Sequence, residues 1–176
     1  PQKLSLPKAP GYFDTPIHTP SGKIELYSET IAKYKDSHGL DPLPAYEAGY
    51  DPSDGTVYPM CLLTGGRIPN AVHSRLHDVP WLRSLRPDPA ADINPEDAQR
   101  LGIRQGDDID LVTETGRIRV KANLTAVSAP GEINMYHGYR QANANDLIPL
   151  THLDPYSGFP GFKQLRCRIE KAEVQP

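Results

Sequence analysis

The chain has little sulfur and no metal-binding spacing. Cys61 and Cys167 are the only cysteines in 176 residues, too few to build a zinc or iron–sulfur centre alone. Cys61 lies in an apolar run and the chain is no cysteine-dense scaffold, so both are expected as buried thiols rather than a disulfide. No run of about 18 apolar residues occurs, so no segment is long enough to span a bilayer as a helix. Charge of one sign is missing too: 19 Lys and Arg against 22 Asp and Glu leave a formal net charge of −3. That balance gives no electrostatic reason to expect nucleic acid or an anionic membrane as partner. GxSxG, GxxxxGK[ST] and HExxH are all absent, so common nucleophile, phosphate-loop and zinc-protease chemistries have no starting point. The chain opens Pro1-Gln2-Lys3-Leu4, without an initiator Met, a basic n-region or an apolar h-region. This reads as the interior of a longer polypeptide whose remaining chemistry lies upstream, and it leaves the compartment unassigned.

What is present suits one globular domain. Hydrophobic residues make up 38% and charged residues 23%, while 19 prolines point to long loops with fixed turns. Residues 1–22 read as an extended lead-in and 23–176 as the domain. Lys23–Tyr27 alternates polar with apolar residues and predicts a strand, and Ser28 caps a helix over residues 29–34. Residues 36–57, rich in Gly, Pro and Asp, read as loop. Met60-Cys61-Leu62-Leu63, bounded by Pro59 and Gly65-Gly66, predicts a buried strand ending in a glycine turn. Asp78 ahead of Pro80 predicts a capped helical turn. Asn94-Pro95-Glu96-Asp97 starts a helix with a side-chain cap, an early proline and acids at the positive end of its dipole; Ala98 and Leu101 face the core, and Gly102 allows the exit. Thr115-Gly116 joins strands 109–113 and 118–123 as a hairpin. Further strands follow at 132–136 and 165–169, with loop over 137–163. No heptads or internal repeats occur. The class is all-β, a barrel with short helices.

Candidate chemistry sits in four loops. Thr64-Gly65-Gly66-Arg67 follows a buried strand; glycines without Cβ atoms let backbone N–H groups approach a phosphate and Arg67 can pair with it, though a plain turn has the same sequence. His73-Ser74-Arg75 is donor-rich, or simply solvated. The histidines at 73 and 77 stand four apart with no helix to align them, so they predict no metal site. Gln141-Ala142-Asn143-Ala144-Asn145-Asp146 offers paired donors and acceptors for purine or pterin edges, with Asp146 able to accept from a guanine N1–H and amine; a polar Asx turn is equally consistent. Residues 154–163, with Phe159, Phe162 and Lys163 among Gly and Pro, predict a shaped, rigid loop.

Read in order, several segments resemble the C-terminal domain of the dimethyl-sulfoxide-reductase family of molybdenum and tungsten enzymes. They are Ser21-Gly22-Lys23-Ile24-Glu25, Pro59 through Arg67, His73-Ser74, Ile93 through Gly102 with Gly106-Asp107, Pro130-Gly131, Asn143 through Asp146, and 154–163, covering about residues 20–171. The stretches 73–85 and 154–161 look nearest the branch with polysulfide and thiosulfate reductases, acetylene hydratase and transhydroxylases. The resemblance implies a mainly β, six-stranded double-psi β-barrel with short peripheral helices. It also implies a bis-molybdopterin guanine dinucleotide cofactor carrying molybdenum or tungsten, held between this domain and preceding domains of the same polypeptide. Thr64, Gly65, Gly66, Arg67, His73, Ser74, Gln141, Asn143, Asn145, Asp146, Phe162 and Lys163 would contact it. The metal ligand and any iron–sulfur cluster would belong to upstream domains, with electron-transfer subunits as possible partners and no catalytic or metal-binding residue in this chain. The alternative is a free-standing double-psi barrel serving as a recognition or adaptor module. A pyruvoyl-type decarboxylase is set aside, since the chain has no Gly-Ser bond to process.

Overall fold

The computed structural model describes residues 15–46, 54–151, 153, 158–163 and 165–172, without the side chain of His38. Two compact units divide the chain, one within Pro1–Ala48 and one within Gly49–Pro176. In the first, Ser28 caps α1 (Glu29–Ala32), its hydroxyl accepting from the Ile31 N–H at 3.2 Å. A second short helix, α2 (Lys35–His38), follows where only loop was expected, closed by Gly39 in the left-handed region. The strand expected at 23–27 does not form. Alternation alone cannot make a strand without a ladder partner, and here local bonds win: Thr19 Oγ1 donates to the Lys23 carbonyl at 2.7 Å and Ser21 Oγ to Glu25 Oε1 at 2.8 Å.

The second unit is a closed barrel of six strands: β1 (Met60–Gly66), β2 (Ala90–Ile93), β3 (Asp108–Val112), β4 (Arg117–Leu124), β5 (Glu132–Tyr136) and β6 (Leu165–Lys171). The order around the barrel is β1-β5-β2-β4-β3-β6. β1 runs parallel to β5 and β2 parallel to β4; every other neighbour is antiparallel. Exchanging β1, β2, β3 for β4, β5, β6 reproduces the same order and the same directions. The barrel therefore contains a half-turn relationship that the sequence does not display as a repeat. This is the mainly β double-psi barrel with short helices that the resemblance implied.

Alternation builds the core. Met60 and Leu62, Ile109 and Leu111, Ile118 and Val120, Ile133 and Met135, and Leu165 and Cys167 all point inward and are buried. Each large aliphatic side chain removed from water contributes roughly 2 kcal/mol. The outer face of β3 and β4 carries charge instead: Arg119 and Arg117 grip the nearly buried Asp110 at 2.8 and 3.0 Å. Hydrogen bonds from Arg119 hold the Asp110 carboxyl below the usual carboxylate range despite its burial.

Local expectations hold at α4 (Pro95–Leu101), where Asn94 Oδ1 accepts from the Glu96 N–H at 2.9 Å and Gly102 exits at φ 66°. The helix face differs from expectation: Ala98 is buried, Leu101 is 40% exposed, and Asp97 takes the inner position. Asp97 goes inside because it has backbone to hold, accepting from the Gly131 N–H at 2.6 Å. At α3 (Pro80–Arg83) the capping position is Val79, which lends no side-chain bond, while Asp78 pairs with Arg140. β1 continues through Gly65-Gly66 rather than turning there, with a register shift against β5 between Leu63 and Gly66. Cys167 is buried, its thiol pushed up to about 12 by that burial, whereas Cys61 is only half-buried; neither forms a disulfide.

Candidate functional site

Parallel strands send their C-terminal ends, and the loops that leave them, to the same side. β1 and β5 do so here, and between their loops lies a cleft of about 1410 Å³. The β1–β2 connection and the β5–β6 connection, including its 158–163 segment, supply most of its wall, and the end of β1 supplies the rest. A 3₁₀ turn, Ala144–Leu147, fixes the far rim. Asn143 caps it by accepting from the Asn145 N–H at 3.2 Å, and Thr113 Oγ1 holds it by donating to the Leu147 carbonyl at 3.0 Å.

Of the residues singled out from sequence, Thr64, Gly65, Arg67, His73, Ser74, Gln141, Asn143, Asn145 and Phe162 meet in this one cleft. Gly66, Asp146 and Lys163 stand outside its lining. A Cβ on Gly66 would lie 3.1 Å from Asn134 Oδ1 and 3.3 Å from the Tyr136 ring, so its neighbour is β5. Its φ lies outside the left-handed region, and close strand packing is what favours glycine there. Asp146 accepts from Asn143 Nδ2 at 2.9 Å, which orients the rim amide. Lys163 lies 5.6 Å from the centre of the Phe162 ring. At Gly65 a Cβ would fall 2.6 Å from Phe162, while Thr64 donates its hydroxyl to the Phe162 carbonyl at 3.0 Å; the strand end and this loop are thus stitched together. Residues 154–157 of the same loop, and His152, lie outside the described residues.

Sequence reasoning missed a group on the inner wall: His77, Arg83, His137, Gly138, Tyr139 and Arg140. Spacing could not reveal it, because His137 and His73 are 64 positions apart and meet only when β5 lies beside β1, at 3.0 Å between Nε2 and Nδ1. Tyr139 is buried and donates its hydroxyl to the Arg86 carbonyl at 3.1 Å. Its ring takes His77 edge-on at 4.7 Å between centroids and the Arg83 guanidinium at 5.0 Å. Among the described residues no set of three His, Cys, Asp or Glu side chains could hold a metal ion.

The lining is cationic although the chain is net acidic. Arg67, Arg83 and Arg140 face a single carboxylate, Asp78, which Arg140 already occupies at 3.1 Å. Arg67 and Arg83 have no carboxylate partner among the described residues. His77 Nε2 is buried with no hydrogen-bond partner. Burial, reinforced by Arg83, lowers the His77 pKa below its ordinary 6.5. The sign of the resulting linkage is fixed: below pH 6.5 the unfolded chain binds a proton that folded His77 resists, so acidification destabilises the fold. Melting temperature should therefore fall from pH 7.5 towards 5.5, and His77→Gln should flatten that slope. An unchanged slope in the variant would assign it to other groups.

Residues 61–166 match the family described as "Molydopterin dinucleotide binding domain". The chain is 34% identical over 179 residues to dopamine dehydroxylase of Eggerthella lenta, an alignment taking in 93% of this chain and 17% of that protein. To the dimethyl sulfoxide reductase DmsA of Escherichia coli K12 it is 33% identical over 132 residues, covering 70% of this chain and 16% of the other. Acetylene hydratase from Pelobacter acetylenicus is structurally similar with a TM-score of 0.74 at 29% identity, over 88% of this chain and 24% of that one. The chain thus spans only 17% and 16% of the two curated relatives' lengths.

Proposed function

The chain belongs to the molybdopterin dinucleotide-binding domain family, and on that premise we propose that its cleft holds one arm of a bis-molybdopterin guanine dinucleotide within a larger oxidoreductase. The observation that carries this reading is the cleft itself. It is cationic in a net-acidic chain, rimmed by the amides of Gln141, Asn143 and Asn145, with an unpartnered buried imidazole on its wall. A long polyanion with a heteroaromatic end fits that chemistry: Arg67 can pair with phosphate, and the amides can read a purine or pterin edge. Thr64, Gly65, His73 and Ser74 would flank the same arm. Gly66, Asp146, Phe162 and Lys163 would act by shaping it, Asp146 through Asn143 and Lys163 as a cation beside Phe162.

When bound, the cofactor would supply oxygen-atom or electron transfer at its molybdenum or tungsten ion. Under this reading the protein ligand to that ion, any iron–sulfur cluster and the docking of electron-transfer subunits belong to other parts of the enzyme. Residues 1–22 would lead in from a preceding domain. The isolated chain provides one wall of the site and is expected to bind the cofactor weakly.

In the full-length enzyme, Arg67→Glu reverses an exposed charge at the cleft mouth. It should lower bound molybdenum and acid-released guanosine monophosphate together, by tenfold or more, a coupling loss of about 1.4 kcal/mol or greater. Unchanged content of both, in a variant that folds, would remove the cleft from cofactor binding.

A further inference from the structure

Resting on that reading, we infer that His73, His137 and Arg83, backed by the buried His77, form the subsite for the ligand's diphosphate, and that the diphosphate is taken up together with a proton from solvent.

Two backbone features and one ring contact bring these groups together. Val72 and Arg75 close a tight turn, each N–H donating to the other's carbonyl at 3.2 and 2.9 Å, with His73 at φ 55° in the position glycine prefers. That turn sends the His73 ring against His137, Nδ1 to Nε2 at 3.0 Å with centroids 5.2 Å apart. Gly138, at φ 108°, lies against the β1–β2 connection: a Cβ there would sit 2.6 Å from the His73 carbonyl and 2.7 Å from His77 Nε2. Arg83 lies on the Tyr139 ring that also receives His77, and all three line the cleft that His73 and His137 line.

The 3.0 Å contact needs one N–H shared between two ring nitrogens. A second proton, placed on the outer nitrogen of the donating ring, makes that ring an imidazolium; the bond between the rings is kept and a further N–H points outward. Ordinarily a carboxylate would compensate such a proton. The charged groups facing this corner are Arg67, Asp78 and Arg83 from the β1–β2 connection and Arg140 from the β5–β6 connection, which also carries Lys163 beside Phe162, outside the cleft lining. The one acid, Asp78, is 81% exposed and paired with Arg140. An incoming dianion would fill that missing role, accepting the outward N–H bonds of the imidazolium pair and a bidentate pair from Arg83. Only N–H bonds change, and the proton comes from water.

The probe is P1,P2-dimethyl diphosphate, a diester that stays doubly charged between about pH 5 and 8, so proton uptake belongs to the protein. Calorimetry of this chain in buffers of different ionisation enthalpy should report roughly one proton taken up per ligand, with affinity weakening up to about tenfold per pH unit. His73→Gly suits the backbone and removes one ring; it should bind more weakly and without proton uptake. Arg83→Gln should abolish measurable binding. Binding with no proton uptake, uptake undiminished in His73→Gly, or no binding to a Kd of about 50 mM would each overturn the inference. The cofactor reading is decided separately, by the molybdenum and nucleotide content of the Arg67→Glu enzyme, and survives those results.

Discussion

Gly116→Ala is expected to destabilise the barrel by about 3 kcal/mol and to lower its melting temperature by roughly 10 °C. Gly116 closes the β3–β4 hairpin, and a Cβ built there would collide with the backbone carbonyl of Asp146. The neighbour is backbone rather than the tip of a mobile side chain, so relief requires moving a chain segment. Neither segment is free to move. Thr113 donates its N–H to the Gly116 carbonyl at 2.9 Å, accepts from the Thr115 and Gly116 N–H groups at 3.2 Å, and donates its hydroxyl to the Leu147 carbonyl at 3.0 Å. One threonine thus pins both sides of the clash. The 3₁₀ turn at the cleft rim should shift outward, carrying Asn143 and Asn145 with it. Gly161→Ala, with open space around its Cβ, is the control and should stay within about 0.5 kcal/mol of the parent. Urea unfolding of both variants measures this. A Gly116→Ala loss below about 1 kcal/mol would show the rim to be freely displaceable.

Removing the carboxylate of Asp97 should cost nearly as much. Its side chain is 5% exposed, with one oxygen accepting from the Gly131 N–H and the other from Arg100, each at 2.6 Å. Arg100 is 65% exposed, so water screens that pair and little stability resides in it. The amide of Gly131 is different. It stands at the start of β5, its own carbonyl accepts from the Cys61 N–H at 2.8 Å, and it lies at φ 84°. Asp97→Ala leaves a charged-acceptor bond unmade at the point where α4, β1 and β5 meet, for an expected loss of about 3 kcal/mol. Asp97→Asn keeps an acceptor and should cost about 1 kcal/mol. Equal losses for the two variants would mean that charge, rather than the bond to Gly131, is what matters.

The contrast between these two residues shows what sequence can express. Asn94, Pro95 and Gly102 announce α4 because capping and exit chemistry are local, and Thr115-Gly116 announces a hairpin for the same reason. Asp97 looked like a dipole-facing acid; its real partner is 34 residues away. β2 went unseen because Ala90-Ala91-Asp92-Ile93 is short, does not alternate, and exists as a strand only by lying between β4 and β5. The alternating stretch at 23–27 fails in the opposite sense, having the pattern without the partner. At the cleft, glycine, amide and arginine loops were legible as ligand-facing chemistry. The histidine corner was not, since His73 and His137 become neighbours through the parallel pairing of β1 with β5.

That pairing also sets a timetable for synthesis. β1 hydrogen-bonds to β5 and β6, the last two strands of the barrel to be made, and to none of β2, β3 or β4. Made at about 5–20 residues per second, the chain leaves Met60-Cys61-Leu62-Leu63 without its ladder for on the order of 5–20 s until β6 is complete. For that interval the most apolar strand of the barrel is an open edge on a nascent polypeptide, the state in which β-sheet proteins aggregate. A fold closed by its last strand leaves its first unpaired for the longest part of synthesis, and faster emergence shortens that exposure.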